Sequence, residues 1–238
     1  MAPSRKKKAV VLLSGGLDSA TVLYWAISRE WQPSALAFDY GQRHRREMAS
    51  ARALCRLAGV PLHVIRFPLP WKGSSLLNQR SRLPLSKSHR SIGRSIPSTY
   101  VPARNTIFLA FGLSCAEAIG AGAVMIGANA LDYSGYPDCR PDYIQAFGRV
   151  FKLGTKAGRE GRAIRIIAPL IKYSKAEIVR LGSKLGVPWE LTWSCYRGGD
   201  RPCGRCDSCR LRARGFKEAR VSDPLIKPTF SKEKSDEP

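Results

Sequence analysis

Ser14-Gly15-Gly16-Leu17-Asp18-Ser19 stands directly after the apolar run Ala9-Val10-Val11-Leu12-Leu13 and opens a segment with helical spacing. Glycines at such a junction let the backbone turn tightly and bring its N–H groups close to a phosphate. The helix behind them starts with unpaired N–H groups and a positive dipole end, which stabilise an anion. Ser14 and Ser19 add hydroxyl donors. Asp18 opposes an anion unless a cation intervenes, so it suits Mg²⁺ carried on phosphates. The string lacks the Gly-Lys-Ser/Thr end of a Walker A loop and the third glycine of a dinucleotide fingerprint. A plain strand–helix turn capped by Asp18 is the bland alternative. The complete string after an apolar strand favours a phosphate site.

A second constellation lies near the other end. Cys195, Cys203, Cys206 and Cys209 hold two C-x-x-C steps that share Cys206. Four thiolates close a tetrahedral Zn²⁺ shell with no open position, which argues for a structural metal. Several of Arg197, Arg201, Arg205, Arg210 and Arg212 are near enough in sequence to offset the tetrathiolate charge. An iron–sulfur cluster is the competing occupant, and a redox dithiol the other, though one C-x-x-C suffices for that. Cys55 and Cys115 fall on apolar helix faces and read as core. Cys139 sits in a polar segment and has no clear part.

Two polar segments lie between these sites. Thr99-Tyr100-Val101-Pro102-Ala103-Arg104-Asn105-Thr106 ends at a helix start. Arg104 offers a fixed fork of donors for phosphate or carboxylate, or is a surface charge beside Asn105 as helix cap. Asn129 to Pro141 holds Asp132, Tyr133, Ser134, Tyr136, Asp138 and Cys139. Aromatic faces and acceptors for ring N–H groups are what a planar heterocycle needs.

These groups need a scaffold. Ala9–Leu13, Ala35–Tyr40, His63–Phe67 and Ala123–Gly127 read as strands; 18–29, 47–57, 105–119 and 174–185 carry helical spacing. Ser174 with Glu177 three residues on has the form of a capping box. Strands alternating with helices predict an α/β fold: a doubly wound, mostly parallel sheet with helices on both faces. Ligands then bind beyond the carboxyl ends of the strands, just after Leu13, Tyr40, Phe67 and Gly127. Three parts are expected: a phosphate-binding α/β domain over 1–190 with a basic irregular insert at 68–104, a zinc-binding segment at 191–224, and a tail at 225–238. His44 is a proton shuttle or a surface residue.

The 238 residues carry 40 Lys+Arg against 18 Asp+Glu, a net charge of +22. That balance predicts anionic partners and says nothing of the fold. Met48 to Ala116 contains no acid and ten basic residues. Within it Arg80 to Arg94 reads as a solvated insert, or as an anion-binding lid. No apolar run reaches the ~20 residues that cross a bilayer. With no signal-peptide core, the expected compartment is the cytoplasm.

The loop at 14–19 resembles the PP-loop of ATP pyrophosphatases, the adenine-nucleotide alpha-hydrolase fold. Phe38 to His44, Thr99 to Asn105, Asp132 to Arg140, Thr192 to Tyr196 and Cys203 to Cys209 make the whole chain similar to the QueC family of 7-cyano-7-deazaguanine synthases. The resemblance runs from Ala9 to about Pro224, and the basic stretch 80–94 departs from it. It implies an ATP-dependent ligase acting on 7-carboxy-7-deazaguanine and ammonia, a homodimer with structural zinc and with Mg²⁺ on ATP. It implies ATP contacts from Leu13, Ser14, Gly15, Gly16, Leu17, Asp18, Ser19, Ala20, Thr21, Val22 and Leu23, with Asp39, Tyr40 and Gln42 beside the adenosine. Asp18, Ser14, Arg104 and Lys175 would serve the chemistry. Asn105, Asp132, Tyr133, Ser134, Tyr136 and Asp138 would hold the deazaguanine. The charge also suits two rivals: an enzyme adenylating a base in tRNA, and a non-enzymatic nucleic-acid module.

Overall fold

A computed structural model describes residues 7–43, 45–71, 73–78, 80–81, 83, 96–129 and 135–226. His44, Asp132, Tyr133, Ser134, most of 80–94 and the tail from 227 lie outside the described residues.

Five parallel strands form one sheet in the order β3-β2-β1-β4-β5. They are β1 (Lys8–Leu12), β2 (Gln32–Asp39), β3 (Leu62–Arg66), β4 (Ala123–Met125) and β5 (Arg165–Ile167). β1 is the central strand, buried on both faces, which is why it reads as an unbroken apolar run rather than an alternating one. Its alternate side chains enter two separate cores. Ala9 and Val11 join one, with Ala35, Ala37, Ala123 and Met125 from the neighbouring strands. Val10 and Leu12 join the other, with Leu36, Phe38 and Val124.

The first core is covered by α1 (Leu17–Ser28), α2 (Arg46–Ala58), α6 (Lys175–Lys184) and α7 (Asp207–Ala219). The second is covered by α3 (Arg104–Ile119) and α4 (Pro141–Leu153), with the short α5 (Lys156–Arg159) following. Helices therefore lie on both faces, as the alternating pattern requires. The chain steps outward from β1 to β3, then returns through α3 to place β4 on the other side of β1. Gly112 permits that return. A Cβ there would stand 2.8 Å from Val124 Cγ1 and 3.1 Å from Leu12 Cδ2, so the helix lies directly on the sheet.

The expected strands and helices are present with shifted ends. β2 starts at Gln32, ahead of Ala35, and β4 ends at Met125. Ser174 caps α6 in a full capping box: its hydroxyl accepts the Glu177 N–H and Glu177 accepts the Ser174 N–H. Ala103, at φ +51, takes the cap position of α3, so Asn105 is the second residue of that helix and not its cap. β5, α4, α5 and α7 are additions to the sequence reading.

Candidate active site

The sheet order reverses between β1 and β4, and a cavity opens beyond their carboxyl ends, where such a fold places its ligand. Its wall includes Leu13, Ser14, Gly16, Leu17, Asp18, Ser19, Tyr40, Gln42, Arg104, Asn105, Tyr136 and Lys175. Residues after β1, β2 and β4 contribute; the end of β3 does not. Ala20, Thr21, Val22 and Leu23 lie deeper in α1, fully buried and off the cavity wall. Asp39 also stands outside the wall, 3.7 Å from Arg45 Nε.

The loop at 14–19 is folded by its own side chains. Ser14 Oγ accepts the Gly16 N–H at 3.3 Å and lies 3.0 Å from Ser19 Oγ, which also donates to the Gly16 carbonyl at 3.1 Å. Gly16 caps α1 without a side-chain bond, so the first-turn N–H groups face the cavity end uncapped. Gly15 has φ +87, and a Cβ there would collide with the Glu47 carbonyl oxygen. Both facts demand glycine. Gly127 packs from β4 with its would-be Cβ 3.1 Å from Asp18 C and Ser19 N. The loop is thus pressed between α2 and the end of β4.

Asp18 is not alone. Lys175, the first residue of α6, places Nζ 2.7 and 2.8 Å from its two carboxylate oxygens. The Lys175 stem runs across Gly215 of α7, where a Cβ would be 2.5 Å from Lys175 Cγ. On the opposite wall Arg104 donates to Tyr40 Oη at 3.1 Å and stacks its guanidinium over the Tyr40 and Phe108 rings. The left-handed Ala103, whose N–H donates to Tyr100 Oη at 2.9 Å, aims it there. Gln42 braces the same corner, accepting from Tyr40 N–H at 2.9 Å and donating to the Phe38 carbonyl at 3.1 Å.

Asn105 and Asp138 are engaged with one another. The Asn105 backbone N–H donates to Asp138 Oδ2 at 3.0 Å, and Asn105 Nδ2 donates to the Asp138 carbonyl and to Cys139 Sγ, each at 3.2 Å. Asp138 is off the wall; Cys139 is on it. Burial, reinforced by the Asp138 charge, pushes the Cys139 thiol up to about 12, so it is a neutral wall group. Tyr136 Oη sits 2.8 Å from Thr99 Oγ1.

Cys195, Cys203, Cys206 and Cys209 converge with all four sulfurs within 4.8 Å of one another, and Cys203 and Cys209 Sγ are 4.0 Å apart. A tetrahedral tetrathiolate shell needs S···S of about 3.8 Å, so the cluster fits a metal ion. The segment before it holds the 14–19 loop: Trp193 N–H donates to the Gly15 carbonyl at 2.9 Å, and Trp193 Nε1 to the Cys195 carbonyl at 2.9 Å. Arg212 anchors that segment from α7, bonding Thr192 Oγ1, the Trp189 carbonyl and both oxygens of Asp223.

Sequence reasoning gave no site role to several wall residues: Glu47, Arg43, Phe108, Trp193, Tyr196 and Arg212. Glu47 carried a usable signal, an isolated acid in the first turn of a helix directly before a long acid-free stretch. Burial pushes its carboxyl up to about 7, opposed in part by the Arg104 charge. Trp193 and Arg212 act through contacts remote in sequence, which no local pattern announces.

The family model described as queuosine biosynthesis protein QueC matches residues 8–220. A protein of Nostoc sp. named 7-cyano-7-deazaguanine synthase is 59% identical over 220 residues, covering 92% of this chain and 96% of that one. One of the same name from Thermoplasma acidophilum is 53% identical over 232 residues, covering 96% of each. Among solved structures, NMN synthetase from Francisella tularensis aligns with TM-score 0.46 at 15% identity, over 94% of this chain and 90% of that chain. The match spans residues 8–220, a range that holds the 14–19 loop and all four clustered cysteines: this chain belongs to the QueC family of queuosine biosynthesis proteins.

Proposed function

We propose that the chain is an ATP-dependent carbon–nitrogen ligase that turns 7-carboxy-7-deazaguanine and ammonia into 7-cyano-7-deazaguanine. The observation that carries this reading is the cavity at the β1/β4 reversal, which brings the 14–19 loop, Lys175 and Arg104 to one space within a QueC-family chain.

A free carboxylate resists nucleophiles because of its charge. Attack of its oxygen on the α-phosphorus of ATP forms an acyl-adenylate and releases pyrophosphate. Ammonia then adds to the acyl carbon, and the C–O bond to AMP breaks to leave the amide. A second ATP adenylates the amide oxygen; loss of AMP and of two protons from nitrogen leaves the nitrile. The carbon keeps its oxidation level throughout, so no reductant is needed.

The chain's own groups bind, position and neutralise. Ser14, Ser19 and the uncapped N–H groups at the start of α1 hold pyrophosphate oxygens as charge develops there. Lys175 and Arg104 supply cationic donors from opposite walls. Asp18 is the carboxylate that would share Mg²⁺ with the phosphates, which supplies charge neutralisation when bound. Tyr40 and Gln42 border the adenosine. Tyr136 and Asn105 line the heterocycle side, with Asp138 behind them holding Asn105 in place; Asp132, Tyr133, Ser134 and Asp138 belong to the same proposed contact set. Zn²⁺ is the proposed occupant of the four thiolates, with no open position for catalysis. The 191–224 segment is then the metal-holding part and 1–190 the ATP-binding part. A homodimer in the cytoplasm completes the reading; among the described residues no helix is long and apolar enough to cross a membrane.

The test is direct. Pure protein is incubated with ATP, Mg²⁺, ammonium and the carboxy-deazaguanine, and the nitrile is sought by mass spectrometry. Product with two ATP consumed per nitrile supports the reading. No product, together with tRNA-dependent pyrophosphate release, replaces it by a tRNA-adenylating enzyme.

A further inference from the structure

Each half of the proposed reaction sheds protons from nitrogen. The acyl step releases one as ammonia becomes an amide, and the nitrile step releases two. In that reading Ser14, Ser19, Lys175 and Arg104 serve as donors and cations and Asp18 is paired with Lys175, so the acceptor of those protons is still to be assigned.

Glu47 has the right place for that task. It is in the first turn of α2, and its backbone carbonyl lies so close to Gly15 that no Cβ fits between them. Its position is therefore locked to the phosphate loop. Its half-buried side chain lines the cavity. Asp18 and Glu47 are the carboxylates among the described wall residues, and Lys175 already holds Asp18. Among the described residues no hydrogen bond or ion pair holds the Glu47 carboxylate.

The other ionisable groups around it are committed elsewhere. Arg104, from α3, donates to Tyr40 Oη and lies over the Tyr40 ring. Tyr40, at the end of β2, is kept neutral by burial, which raises its phenol. Arg43, in the loop after β2, donates to the carbonyls of Ser75 and Ser81. Arg212, from α7, is tied to Asp223 and Thr192. Arg104 is the cation that senses Glu47, and it opposes the rise caused by burial without cancelling it.

We propose that Glu47 is the proton acceptor for the nitrogen nucleophile, taking the proton from ammonia as the C–N bond forms and C–O cleavage expels AMP. This rests on the function proposed above. The proton passes to the Glu47 carboxylate and from there to solvent through the open cavity, ready for the two protons of the nitrile step. Burial sets its carboxyl near 7, where a general base works best at neutral pH.

The experiment separates activation from amination. Carboxylate-dependent exchange of labelled pyrophosphate into ATP, without ammonia, reports the adenylate alone. Single-turnover amide formation at fixed free ammonia reports the nitrogen step. Glu47→Gln should keep exchange within a few-fold and lower amide formation by about 10²–10⁴-fold. The wild-type rate should rise with pH through about 7 as Glu47 loses its proton, and the variant should lose that limb. Glu47→Asp, which keeps a carboxylate, should restore part of the rate together with a pH limb. Amide formation by Glu47→Gln at the wild-type rate and pH profile overturns the proposal, as does equal loss of exchange and amide formation. A wild-type protein with no exchange at all removes the underlying reading, and the proposal with it.

Discussion

Arg212→Leu probes how the end of the chain supports its beginning. Arg212 and Asp223 each expose 4% of their side chains. Arg212 Nε and Nη2 bond the two Asp223 oxygens at 2.7 and 2.9 Å, Nη1 bonds Thr192 Oγ1 at 2.7 Å, and Nη2 reaches the Trp189 carbonyl at 3.2 Å. Leucine fills much of the space and supplies none of the donors. Asp223 is left as a buried carboxylate holding the Leu225 N–H alone. Breaking one side of such a pair costs about 3–5 kcal/mol. For a chain of this size 1 kcal/mol moves Tm by about 2–4 °C, so a fall of roughly 6–20 °C is expected by calorimetry. Thr192 precedes Trp193, whose N–H holds the Gly15 carbonyl. Loss of that one bond removes about 0.5–1.5 kcal/mol from the loop's bound shape, or about two- to tenfold in ATP affinity by titration calorimetry. The double variant Arg212→Leu/Asp223→Leu should recover part of the stability, since it removes the stranded charge as well. A single-variant cost below about 1 kcal/mol, or a double variant no better than the single, would refute the reasoning.

Four further perturbations test other contacts. Gly15→Ala places a Cβ at φ +87 against the Glu47 carbonyl; the left-handed backbone alone costs about 1–2 kcal/mol, so ATP affinity should fall about tenfold or more, and unchanged binding would contradict the loop geometry. Asp18→Ala should abolish ATP turnover and leave the circular dichroism spectrum intact, because its pair with Lys175 is partly exposed; a near-normal rate would remove Asp18 from the metal role. Gly215→Ala should lower activity and Tm together, since its Cβ would meet Lys175 Cγ, Cβ and backbone carbon at 2.5, 3.1 and 3.3 Å and such overpacking costs about 1–3 kcal/mol; full activity would show that the Lys175 path is not confined. Cys206→Ser should lower bound metal by elemental analysis, with a lower Tm and weaker ATP binding through Trp193; unchanged metal content would refute the four-thiolate site.

What the sequence reveals about this molecule follows from how far each signal reaches. β1 and the 14–19 loop are legible because a strand buried on both faces must be apolar throughout, and a tight phosphate turn must carry glycine. The capping box at Ser174 is equally local. β5 escapes notice because three residues at a sheet edge, Arg165 to Ile167, carry no periodicity. α7 escapes because its dominant pattern is cysteine and arginine; Arg212 on its buried face looks like any surface charge until Asp223, eleven residues on, is brought beside it. The same distance rule governs the site. Several wall groups are assignable by type, but their pairings are not: Lys175 meets Asp18 across 157 positions, and Arg104 meets Tyr40 across 64. Those pairings alter the chemistry expected of the residues. Asp18 is already paired with Lys175, so a cation at Asp18 in the proposed reaction would replace one cationic partner by another rather than fill a bare anionic site. Asn105 and Asp138, read as ligand contacts, spend their hydrogen bonds fixing the start of α3, which is what aims Arg104. Local chemistry thus points to the residues of the cavity wall, and long-range packing decides which of its charges are already paired.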